Sequence, residues 1–250
     1  MPTPSEGRID RPPFTRRRVA FLVGMPLAWA VLLWFHPDAA PDSVYRDLRD
    51  EVNAYLVVHV GMLIFIGLIG VALYMVVRDL PGRAATISRL AIGPFVLFYS
   101  AWETVIGLSV GVLVQYGNDA PADRAAVSDA IQALGDSVIV GEAGIVGIVG
   151  GLAWLIAVIA AAVAVRGAGA PLAAAVLLGL SAIVVSHPPP IGPIGLASFA
   201  AAVLVLYRNQ LRVATTFRAA EPRSSSQAPV RAAPAAATTS QTAGAPGSGM

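Results

Sequence analysis

Runs of apolar residues about 20 long recur along the chain, and most of the polar residues are gathered between them. Six runs can be drawn, at Val19–Phe35, Val52–Val77, Leu90–Tyr116, Val138–Val165, Pro171–Ser186 and Ile191–Tyr207. A helix rising about 1.5 Å per residue needs roughly 20 apolar residues to cross a hydrocarbon layer about 30 Å thick. The pattern therefore predicts an all-α fold, a polytopic transmembrane helix bundle of six spans. The fifth and sixth runs are short and joined by SHPPPIGPIG. Its prolines lack backbone donors and hold the chain extended, which predicts a tight helical hairpin.

Two of the connecting segments carry a helical period of their own. In PADRAAVSDAIQALGDS, Val127, Ile131 and Leu134 share one face, with Pro121 suited to a first turn and Gly135 to a stop. In PDSVYRDLRDEVNAYLVVH, the residues Tyr45, Leu48, Val52 and Tyr55 form a seam that runs into the second span. Both segments read as an interfacial cap over one end of the bundle, or as plain connectors.

Composition agrees with the pattern. Apolar residues make up 56% and charged residues 13% of the 250-residue chain, about half the charge of an ordinary soluble domain. Cysteine is absent, which excludes a disulfide framework, a thiolate metal site and a cysteine nucleophile. All 17 basic residues are arginine, and their placement sets an orientation. Fourteen fall in the N-terminal tail, the loop after the second span, the turn after the fourth and the C-terminal tail. Only Arg46, Arg49 and Arg124 fall on the other side, where Asp38, Asp42, Asp47, Asp50, Glu51, Asp119, Asp123, Asp129 and Asp136 cluster. Both termini are expected in the cytoplasm, with the acidic loops outside. The TRRRVAFLVG segment could be a twin-arginine export signal. Its apolar run is longer than a signal core and no small-x-small site follows, so it reads as an uncleaved first helix. Residues 1–18 and 208–250 read as disordered tails around a transmembrane domain of residues 19–207; RNQLRVATTFR at the membrane exit could lie on anionic headgroups or be merely solvated.

The informative residues are the polar ones inside the spans. Glu103 stands midway along the third, in YSAWETVIGLSVG, where burying an acid costs about 2.5–3.5 kcal/mol. Tyr99, Glu103, Gly107 and Gly111 follow one another at i+4 and share a face, and Gly107 and Gly111 allow a neighbouring backbone to approach closely. Glu103 should thus look into the bundle. His36 ends the first span, His59 lies about two turns into the second, His187 ends the fifth and Glu142 lies about one turn into the fourth. All of these belong to the outer half of the membrane, and no acid or histidine falls in the inner half of a span. A polar pocket opening outward is the functional reading, lined by His36, His59, Glu103, Glu142 and His187, with Tyr55 and Tyr99 one turn before His59 and Glu103. Imidazole and carboxylate are the ligands of a divalent metal and also the parts of a proton relay, so a metal cofactor is possible but unspecified. The alternatives stay open residue by residue. His36 and His187 precede prolines at helix ends, where a histidine caps free carbonyls. Glu142 could simply be wetted at the interface, and a tyrosine or histidine could pair with Glu103 for structure alone.

Gly141, Gly144, Gly147 and Gly151 form a small-residue stripe on the fourth span and read as helix packing. GLSVG, residues 107–111, matches G-x-S-x-G, but it lies mid-helix and away from the strand-to-helix turn that a serine nucleophile needs. HExxH, Walker A and GxGxxG are absent, and no basic aromatic groove points to nucleic acid. FHPD after the first helix, YLVVH opening the second and YSAWETVIGLSVG in the third resemble six-span integral membrane proteins of high-GC Gram-positive bacteria, over about residues 19–207. That resemblance implies a bacterial cytoplasmic-membrane protein and no particular substrate. Three functions follow in order: a membrane protein with an outward pocket for a cation, proton or small molecule; an accessory subunit packing against a membrane protein partner or a second copy; and a membrane-embedded metalloenzyme.

Overall fold

The structure, a computed structural model, describes residues 14–220. The described residues through Val213 form one compact unit. Among the described residues the fold is all helical. The helices are α1 (Arg16–Leu33), α2 (Val44–Leu48), α3 (Val52–Val77), α4 (Arg83–Asp119), α5 (Arg124–Gly135), α6 (Ile145–Gly167), α7 (Leu172–Leu180) and α8 (Ile191–Ala220). Among the described residues, four stretches are long and apolar enough to cross a membrane: Val52–Val77, Arg83–Asp119, Ile145–Gly167 and Ile191–Val213. The apolar segment Leu172–Val185 is shorter, and its last five residues tighten into a 3₁₀ turn.

α3 packs against α1 and α4, and α6 packs against α4 and α7. Their shared core holds Trp29, Met62, Ile66, Phe95, Trp154, Leu178 and Phe199, each at most 1% exposed. Trp29 stacks on Phe65, and Phe95 leans on Trp154 with ring centroids 4.7 Å apart. A second, smaller cluster lies at the end of the bundle carrying the acidic loops. Leu48 and Val52 meet Val110, Val114, Val127 and Ile131 there, with Tyr45 and Leu134 at its margin. Each buried aliphatic side chain contributes about 1.5–3 kcal/mol relative to exposure in water, which fixes α5 over α2 and the end of α4 as a cap.

α4 is not a regular α-helix. Wider π turns occupy Phe95–Tyr99 and Glu103–Ser109. The first follows Pro94, which has no N–H to give and whose ring crowds the carbonyl four residues back. In the second, the Thr104 hydroxyl donates to Ser100 O at 2.8 Å and the Ser109 hydroxyl to Thr104 O at 3.2 Å, competing with the backbone ladder. The consequence is geometric. An i+4 stripe drifts by about 40° per step on an α-helix. A π turn of about 4.4 residues reverses the drift by about 30°. The mixture keeps Tyr99, Glu103, Gly107 and Gly111 in one straight, buried line.

Three expected boundaries are corrected. The fourth span begins at Ile145, not Val138, because Val138–Gly144 folds into a turn. Gly141 and Gly144 approach the backbone of residues 135–139 so closely that no Cβ would fit. The carbonyls of Val138 and Ile139 then accept from the N–H groups of Ile145 and Val146, capping α6. At the N-terminus, α1 starts at Arg16, with the Thr15 hydroxyl capping Arg18 N–H, so the tail reading stops short of residue 18. At the far end α8 continues as helix to Ala220, so the tail read from 208 is helical over its first part. The remainder of both tails lies outside the described residues.

Candidate metal centre

The site is built on four segments at the acidic-loop end of the bundle. His59 lies in the second turn of α3 and is 2% exposed. Its Nδ1 sits 2.8 Å from Tyr55 O, one turn back on the same helix. A carbonyl can only accept, so Nδ1 carries the hydrogen and, in the neutral ring, Nε2 keeps a free lone pair. Its position depends on Gly107 of α4, where a Cβ would overlap His59 Cδ2. Gly111, one turn further, gives the same room to Leu56 and Tyr55.

His36 lies just beyond the end of α1. Its Nδ1 is 2.7 Å from Pro37 O, so it too is fixed as the donor, and the buried Nε2 has no hydrogen-bond partner. His187 comes from the proline-rich connection before α8, with Nδ1 3.4 Å from the Tyr99 hydroxyl. That hydroxyl itself donates to Val185 O at 2.8 Å. The rings of His59 and His187 both stand close to His36, at 5.0 Å between centroids. One nitrogen from each histidine lies within 4.8 Å of the others.

Glu103 forms the floor. It is 1% exposed, with Oε2 3.7 Å from His59 Nε2 and Oε1 3.4 Å from His187 Nδ1, and Oε1 has no hydrogen-bond partner. Among the described residues no arginine answers it. The arginines at this end of the bundle are used elsewhere, Arg46 on Asp47, Arg49 on Asp50 and Arg124 on Gly117 O. The cluster is thus rich in lone pairs and poor in hydrogens to share among them. A buried carboxylate without a donor or cation costs several kcal/mol, and a bound cation satisfies all four groups at once.

The structure brings together His36, His59, Glu103 and His187, and leaves Glu142 out. Because α6 starts later than its sequence suggests, Glu142 stands exposed in the preceding turn, with its backbone N–H on Gly135 O. The tyrosines are beside the cluster in unequal ways. Tyr55 supplies the carbonyl that orients His59 and sends its hydroxyl to Ile106 O in the second π turn, whereas Tyr99 touches His187. The glycine stripe is also redistributed. Gly141 and Gly144 build the turn, Gly147 packs on the Trp102 indole and Gly150 packs on the Tyr99 backbone, while Gly151 meets only Val185 at 4.0 Å.

Two participants were not singled out from sequence. Trp102 packs its ring 6.1 Å from that of His187 and donates its indole N–H to Gly141 O at 2.9 Å, closing one flank of the site. Gly150 lies three residues from Gly147, a spacing that helical periodicity could have exposed. A separate cleft of about 1010 Å³ at the arginine-rich end, lined by Arg18, Asp79, Arg83 and Gln210 among others, shares no residue with the cluster. No family model, curated protein or solved structure matches the chain.

Proposed function

We propose that the protein is a multi-pass component of a bacterial cytoplasmic membrane whose outer half holds a cation-binding site made by His36, His59, His187 and Glu103. In this reading α1 and the Leu172–Val185 segment cross with the four longer helices, giving six spans with both termini inside. The arginine distribution supports that orientation, and the cluster then opens outward. The observation that carries the site is the convergence of one nitrogen each from His36, His59 and His187 within 4.8 Å, over a buried Glu103 whose Oε2 is 3.7 Å from His59 Nε2 and whose Oε1 is 3.4 Å from His187 Nδ1. A purely structural pair would be expected to satisfy each polar group locally, as the Tyr55 and Tyr99 hydroxyls are satisfied by backbone carbonyls. An accessory-subunit role is therefore the less favoured reading. A proton held between imidazole and carboxylate is the nearer alternative, since a protonated His59 would also answer Glu103.

Metal analysis of the purified protein separates these. The wild type, equilibrated with divalent metal and desalted, should retain about one ion per chain, and His59→Ala should lose it. No retained metal in either would leave the proton reading in its place.

A further inference from the structure

We infer that the cluster holds a resident transition-metal ion of the zinc class, with Glu103 as fourth ligand beside the three histidines, reached only from the end where His36 and His187 lie. This deepens the cation-site reading and rests on it.

The donor set decides the class of ion. Three imidazole nitrogens and one carboxylate oxygen suit Zn²⁺, Co²⁺, Ni²⁺ or Cu²⁺, whereas Mg²⁺ and Ca²⁺ take oxygen shells of six or more. The hydrogen bonds from His36 Nδ1 and His59 Nδ1 to backbone carbonyls are the outer contacts that orient a ligating imidazole. Bonds of about 2.0–2.1 Å to a tetrahedral ion place neighbouring ligand atoms about 3.3 Å apart. Glu103 Oε1 and His187 Nδ1 already stand at 3.4 Å, and Glu103 Oε2 and His59 Nε2 at 3.7 Å. The remaining gap is toward His36 and among the histidine nitrogens, which are spread over up to 4.8 Å, so one Glu103 oxygen meets the ion as the histidines close. His36 and His187 lie on irregular segments beside prolines, outside the helices that hold His59 and Glu103, so they are the pair that can close on an ion.

The floor decides residency. Directly along the helices beyond Glu103 and His59 come Phe95, Met62, Ile66, Trp154, Leu178 and Phe199, none more than 1% exposed. Among the described residues, the buried polar or charged side chains are His59, Glu103, Ser181 and Ser88. Ser181 is satisfied on Leu178 O. Ser88 is 15 residues from Glu103 along α4, about 20 Å of helix, and the buried polar tip between them, the Tyr99 hydroxyl, is held at the site itself by Val185 O and His187. An ion at Glu103 has no further ligand to step to, and must leave as it came. The site is a dead end.

Two measurements on the full chain test this. Purified protein titrated with Co²⁺ should develop the intense visible bands of a tetrahedral complex. Zn²⁺ should displace it stoichiometrically, and a hundredfold excess of Mg²⁺ or Ca²⁺ should not. Glu103→Gln should weaken Co²⁺ binding at least tenfold, and His36→Ala, on a segment outside the helices, should do the same with unchanged helix content. In proteoliposomes enclosing a zinc-sensitive dye, external Zn²⁺ should raise lumenal signal no faster than in protein-free vesicles. Uptake that His59→Ala abolishes would overturn residency while keeping the site. Displacement of Co²⁺ by Mg²⁺ or Ca²⁺, or octahedral, weak bands, would overturn the zinc-class assignment. Absence of binding by any ion would sink the cation-site reading itself.

Discussion

Gly107 of α4 lies so close to the His59 ring of α3 that a single added methyl would overlap Cδ2. The contact joins helix packing to the site, because the ring can stay over Glu103 only while that position lacks a side chain. Gly107→Ala should displace His59, cost about 1–3 kcal/mol as an overpacked core does, and weaken metal retention. Thermal unfolding and metal titration of the same preparation check it. A variant of full stability and full affinity would show that the His59 position is not set by α4.

Glu103 should act against the stability of the metal-free protein. Its Oε1 is buried without a donor, a state that costs more than an apolar side chain of similar size. Glu103→Met is therefore expected to raise the unfolding temperature of chelator-treated protein while abolishing metal retention. A loss of stability without metal would mean that Glu103 is a satisfied structural group and not a vacant ligand.

His36 gives a pH dependence whose sign is fixed. Burial pushes its imidazole below the ordinary value, against smaller opposite effects of the Pro37 carbonyl and Asp38. The unfolded chain then takes up this proton first, at about pH 6.5. Stability from this group is complete above that pH and is lost as pH falls through the lowered folded value. In chelator-treated protein the unfolding temperature of wild type relative to His36→Phe should fall as pH is lowered from 8 to 5, whatever the other buried groups contribute to both. A wild-type-minus-variant difference that is constant with pH, or that grows toward pH 5, would contradict the burial of a neutral His36 ring.

Much of this arrangement was legible in the chain. Apolar runs marked the long helices, and the i+4 line through Tyr99, Glu103, Gly107 and Gly111 marked the face that meets α3. The depth of His36, His59, Glu103 and His187 along their spans put them all toward the outer half, with Glu103 the deepest, near the midplane. Glu142 stands apart from them for an equally physical reason. Glycines at 141 and 144 read as a helix stripe, yet their value lies in a turn that admits no Cβ, and composition alone does not tell the two uses apart. The π turns of α4 depend on hydroxyl competition at Thr104 and Ser109 and on Pro94, which sequence period does not reveal. The extra length of α8 lies in a polar segment that no apolar pattern could mark.

The six-span arrangement has its own check. Reporter fusions at Arg83, in the loop before α4, and at Ala122, in the cap before α5, should report opposite compartments, with Arg83 inside. Both on one side would remove the outward opening of the site.

Whether His36, His59, His187 and Glu103 gather on one ion can be read from X-ray absorption of the zinc-loaded protein. Three imidazole nitrogens and one oxygen should appear at about 2.0–2.2 Å, with the imidazole outer-shell scattering reduced by one ring in His187→Ala. A first shell of oxygens alone, or a spectrum unchanged by that substitution, would contradict that coordination.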